Sequence, residues 1–149
     1  MRRIRVHIII IASISVLFSF SQVLAQDNNT LHVQVNGAKP DQGQIILSVF
    51  NSKNTYMKKS YLGKTETVDA KGRASFEFNE LPSGIYAISA FYDEDSDGEL
   101  KTGFMGIPTE KVAFSNNAKG IFGPPSFNKT SFDVNSDKTI TINLVNAKN

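Results

Sequence analysis

The chain has 149 residues, with 16 Lys and Arg against 14 Asp and Glu, two His, eleven Phe and no Cys. Without Cys there are no disulfides, no iron–sulfur clusters and no Cys-type zinc sites, so a stable domain must rest on its apolar core. The basic excess sits in Arg2, Arg3 and Arg5, so the charge gives no general attraction to nucleic acid or to anionic membranes.

Those arginines open "MRRIRVHIIIIASISVLFSFSQVLAQ". A positive start, an apolar run from Ile8 to Phe20, and small residues at Val23 and Ala25 form the pattern of a secretory signal peptide, residues 1–25. The alternative is an uncleaved anchor. The run falls short of the roughly 20 apolar residues that span a bilayer. Cleavage after Ala25 leaves residues 26–149, 124 residues with 13 basic against 14 acidic side chains, a net charge of −1. That length suits one domain. Secretion to the periplasm or exterior is expected, with no stable membrane insertion after cleavage.

In the remaining chain, "LHVQVNG" alternates Leu31, Val33 and Val35 against His32, Gln34 and Asn36. Period two predicts a half-buried strand. "KPDQGQ" is turn chemistry, and "IILSVFN" from Ile45 is apolar on both faces, as in a central strand. "KTETV" from Lys64 is weakly strand-like, and "ASFEFN" points Phe76 and Phe78 inward. "LPSG" turns the chain into "IYAISAFY", a strong strand from Ile85 to Tyr92. "TEKVAFS" from Thr109, "KTSFDVN" from Lys129 and "KTITINLV" from Lys138 follow. Seven or eight short strands, with no sustained helical period, predict an all-β fold. The expected architecture is an antiparallel Ig-like or transthyretin-like β-sandwich of about seven strands with one long structured loop. An up-and-down barrel is the alternative.

Two connections exceed plain turns. Residues 51–63, "NSKNTYMKKSYLG", leave room for one helical turn. The longer one runs from Asp93 through Phe127, and long structured connections in a compact domain are often functional. Phe104, Phe114, Phe122 and Phe127 lie along it. They are expected to cover one end of the core as a lid, the alternative being an aromatic binding surface.

"GQIILSVFNS", "LPSGIYAISAFYDEDSDGELKTG", "GIPTEKVAFSNNA", "GPPSF" and the closing "ITINL" together resemble the small secreted bacterial proteins of the domain of unknown function 2141 family. The resemblance runs from about Leu31 to Leu144, and the order of "GIPTE", "FSNNA" and "GPPSF" carries its specificity. The "LPSGIYAI" part is also similar to transthyretin-like and carboxypeptidase-regulatory-like sandwich modules. The resemblance implies an exported β-sandwich and no particular reaction. The family's acidic loop resembles D-x-N-x-N-G-x-x-D; here Asp95 and Asp97 stand at the Asn positions and Lys101 at the last Asp.

That loop, "YDEDSDGELKTG", is the strongest chemical signal in the chain. Asp93, Asp95, Asp97 and Gly98 fit positions 1, 3, 5 and 6 of a calcium loop, and the carbonyl of Glu99 fits position 7. Hard carboxylate oxygens favour calcium over zinc. Lys101 at position nine and Phe104 at position twelve remove the bidentate Glu of an EF-hand, and no helices flank the loop. Glu110 of "GIPTE" is the best remote ligand, and weak affinity, about 10⁻⁴–10⁻³ M, is expected. The alternative is a solvated hairpin tip, for which Asp-Gly is a strong signal.

Nothing else competes. His32 is expected as an exposed strand residue, and no G-x-S-x-G, Walker or dinucleotide motif occurs. The expectation is a non-enzymatic, calcium-stabilised binding or accessory module, with an envelope protein or polysaccharide as partner. The alternative is a small glycosidase-like hydrolase whose paired carboxylates come from the loop and Glu110.

Overall fold

The computed structural model describes residues 28–121 and 123–147. The predicted signal segment, residues 1–25, and Phe122 lie outside them. Nine strands form: β1 Asn28–Asn36, β2 Gln44–Phe50, β3 Leu62–Thr67, β4 Arg73–Pro82, β5 Gly84–Asp93, β6 Lys111–Phe114, β7 Phe132–Val134, β8 Lys138–Asn143 and β9 Val145–Asn146. One helical turn, α1, spans Phe127–Thr130.

The fold is all-β, built as two sheets. One is three-stranded, in the order β4-β1-β8; the other runs β3-β2-β5-β6-β9, with β7 also pairing to β5. All pairs are antiparallel except β1 with β8, where Leu31 lies opposite Lys138 and Asn36 opposite Asn143. A parallel pair needs a long crossover, and the chain between β1 and β8 supplies one.

The predicted inward faces are the buried ones. Leu31, Val33 and Val35 of β1 face Phe76 and Phe78 of β4, and all five are at most 3 % exposed. Ile45, Leu47 and Val49 of β2 and Ile88 and Tyr92 of β5 close the core from the other sheet. Strand β3 is an edge with almost no burial. Its Lys64 lies over the Phe78 ring and donates to the Glu77 carbonyl, covering the seam between β3 and β4 with a charge that discourages foreign strands.

Three expectations need correction. The stretch 51–61 turns without forming a helix, and the helical turn appears at α1 instead. There the Ser126 carbonyl accepts from Lys129 and Thr130, and the Thr130 hydroxyl bonds back to Phe127, closing the turn locally. A strand from Lys129 therefore begins only at Phe132. The phenylalanine lid does not form as a unit. Phe127 packs edge-on against Tyr56, but Phe104 is 87 % exposed, because its hairpin projects away from the core.

Candidate metal centre

Asp93 ends β5 and is fully buried. Antiparallel pairing of β2 with β5 sets Gln44 opposite it. Its Oδ2 accepts from Gln44 Nε2 at 2.7 Å and from the Gly98 N–H at 2.8 Å, and its Oδ1 accepts from the Asp97 N–H at 3.1 Å. The loop is thus wound around one carboxylate. Burial alone raises the pKa of this group. The Gln44 amide and the N–H groups of Gly98, Asp97 and Ser96 outweigh it and hold Asp93 below the ordinary carboxylate value.

The rest of the curl follows from local chemistry. The Asp97 Oδ1 accepts from the Glu99 N–H at 2.9 Å, an Asx turn. Gly98 sits at φ +85, in the left-handed region where glycine carries no Cβ penalty. Ser96 is also left-handed, at φ +58. The outcome is convergence: one carboxylate oxygen each from Asp93, Asp95 and Asp97 lies within 4.8 Å of the others. Among the described residues this is the one such group of three.

Glu99 and Glu110 place no carboxylate in that group. The Glu110 side chain does fold back, but onto donors: its Oε1 accepts from the Glu94 N–H at 3.3 Å and its Oε2 from the Lys101 N–H at 3.0 Å. It fastens "GIPTE" to both ends of the acidic stretch. Beyond it, Lys101 and Thr109 pair through Thr109 N–H to Lys101 C=O at 2.9 Å, and Thr102 bridges Pro108. A small hairpin results, with Phe104 and Met105 at its tip.

Sequence spacing missed two contributors, Gln44 and Gly43, and read Lys101 only as a residue that weakens the loop. Lys101 donates to Asp95 and lies 3.5 Å from Asp97 Oδ2, so a tethered ammonium stands beside two of the three carboxylates. The Asp95 hydrogen bond raises the Lys101 pKa and keeps it charged. Gln44 lies 49 positions from Asp93, and only strand register brings them together. Gly43, at φ +72, lets the β1–β2 connection touch the loop: a Cβ there would stand 2.5 Å from the Asp93 carbonyl oxygen. Lys39 and Gln42 both donate to Glu94 and complete that contact.

The family profile described as "Uncharacterized protein conserved in bacteria (DUF2141)" matches residues 33–143. The chain belongs to this family. The match spans every element of the site, from Lys39 through Gln44 and Asp93 to Glu110. No curated protein and no solved structure matches the chain. No helix among the described residues is long and apolar enough to cross a membrane.

Proposed function

We propose that this chain is an exported β-sandwich module that serves at the cell envelope as a binding or accessory protein, its long loop stabilised by a calcium ion. The observation that carries the reading is the convergence of Asp93, Asp95 and Asp97 at the end of a core strand. A carboxylate has about four lone-pair sites, and Asp93 gives most of its own to N–H donors. It serves as a monodentate ligand and as the loop's anchor. Asp95 and Asp97 supply further oxygens, the Glu99 carbonyl and water the remainder, and Glu110 braces the loop from outside. So few protein oxygens, with Lys101 alongside, make a weak site of the extracellular kind.

Asp93 is poorly suited to the proton-donating half of a glycosidase pair. A glycosidase acid needs a pKa raised by its surroundings. Asp93 is held down instead, and its oxygens are committed to the backbone. The signal-like N-terminus supports export, and the net charge of −1 after cleavage supports a partner other than nucleic acid. An envelope protein or polysaccharide is the proposed class.

The test is thermal unfolding with millimolar calcium against chelator. Calcium raises the melting temperature of the wild type, and Asp95→Ala abolishes the rise. A wild type indifferent to millimolar calcium rules out the calcium reading.

A further inference from the structure

Strand β3 ends the sheet β3-β2-β5-β6-β9 and, among the described residues, pairs with β2 alone. Every residue from Gly63 to Thr67 is exposed. Register decides which backbone groups of this edge stay free. The Val68 N–H bonds the Gly43 carbonyl at 3.2 Å, in the same register that sets Glu66 opposite Ile45 and Lys64 opposite Leu47. Hydrogen-bonded and non-hydrogen-bonded pairs alternate along an antiparallel ladder. Lys64 and Glu66 therefore bond β2, while the N–H and C=O groups of Gly63, Thr65 and Thr67 point away from it. Those groups form an open edge onto which another strand can add.

The side chains determine which strand fits. Lys64 and Glu66 share one face of β3, and Thr65 lies on the other. Lys64 gives a donor to the Glu77 carbonyl, and an ammonium has three. Neither Lys64 nor Glu66 belongs to an ion pair among the described residues. A second β3 laid antiparallel about Thr65 sets Thr65 against its own copy, Gly63 against Thr67, and Lys64 against Glu66 twice over. The residues with free backbone groups then oppose one another, so each such pair exchanges both its hydrogen bonds. Lys64 and Glu66 meet at the non-hydrogen-bonded positions, where side chains approach more closely. Sliding the strands by two residues instead puts Lys64 against Lys64 or Glu66 against Glu66, which is destabilising. The lysine that discourages foreign strands thus admits one that brings Glu66.

We propose that two copies of the chain associate through β3, antiparallel about Thr65, joining their sheets into one. The contact uses the same patch on both copies, so it closes at the dimer and does not propagate. A single strand pair falls well short of the roughly 800 Å² per partner of a stable interface. The dimer is therefore weak, and its exposed ion pairs make it weaker as salt rises.

The experiment is sedimentation velocity at low ionic strength and at protein concentrations up to millimolar, in chelator so that the outcome is independent of calcium. The wild type passes from monomer to dimer and no further. Lys64→Glu and Glu66→Lys each set like charges opposite one another twice, and each weakens the dimer by about tenfold or more. Mixed, the two variants regain it, because each supplies the charge that the other has lost. Thr65→Pro deletes an N–H that β2 does not use, so it abolishes the dimer while the circular dichroism spectrum stays that of the wild type. The chain has no Cys, so single thiols read the register. Thr65→Cys crosslinks on oxidation, its two Cα atoms standing about 5.5 Å apart in the dimer. Thr67→Cys, at about 13 Å from its copy, does not. A wild type that stays monomeric at millimolar concentration overturns the proposal. So does a mass beyond the dimer, a dimer that survives Thr65→Pro, a mixture no tighter than either variant alone, or crosslinking at position 67 and not at 65.

Discussion

Asp93→Asn removes one charge from the centre of the loop and little volume. The wild-type carboxylate accepts from Gln44, Gly98 and Asp97 in a buried position. In the variant, Gln44 can turn its amide and accept from the new Nδ2. The Gly98 N–H cannot turn and meets a donor. The remaining bonds fall from charge-assisted strength, roughly 1.5–3 kcal/mol, to neutral strength, roughly 0.5–1.5 kcal/mol. Two weakened bonds and one partner lost at the edge of solvent amount to about 3 kcal/mol. For a domain of this size that lowers the melting temperature by about 10 °C. The assay is thermal unfolding followed by circular dichroism, in chelator so that metal plays no part. Acidity supplies the control. Because the folded pKa of Asp93 lies below its ordinary 3.8, its contribution is complete above that value and is lost as pH falls through the folded pKa. The gap between wild type and variant is therefore full at about pH 7 and closes below about pH 4. A gap under about 3 °C at neutral pH, or one undiminished at about pH 2, refutes the account of Asp93 as the loop's anchor.

The remaining predictions concern the surroundings of that anchor. Lys101→Ala removes the ammonium beside Asp95 and Asp97 and is expected to tighten calcium about three- to tenfold in calorimetric titration; unchanged affinity would show that the lysine does not compete. Gly43→Ala forces a left-handed alanine against the Asp93 and Glu94 backbone and is expected to cost about 2 kcal/mol or more in urea unfolding, with a wild-type midpoint as the contrary result. Ser115→Ala leaves the Ile88 N–H, now bonded to the serine Oγ at 2.9 Å, and the Thr130 carbonyl without a buried partner. It is expected to destabilise by about 1–3 kcal/mol, read from the same midpoints.

Much of the fold was legible along the chain. Leu31, Val33, Val35, Phe76 and Phe78 were assigned inward from alternation alone, because successive side chains of a strand leave opposite faces whatever the strand pairs with. The acidic turn was legible for a similar reason, since Asp93, Asp97 and Gly98 meet within six residues through local hydrogen bonds. Pairing partners were not. Nothing near β1 announces that its neighbour is β8, joined in parallel across more than 100 residues. Nothing near Asp93 announces Gln44, which arrives through the β2–β5 register. Lys101 reads along the chain as a defect in a calcium loop, and the fold makes it the counter-ion of Asp95 and Asp97. Phe104 reads as core, and a hairpin fastened by Glu110 carries it into solvent. The sequence by itself determined strands, their inner faces and an acidic curl, all set by geometry within a few residues. The tertiary structure alone decided what faces each charge and which aromatic stays wet, because those neighbours come from distant segments brought together only by sheet register.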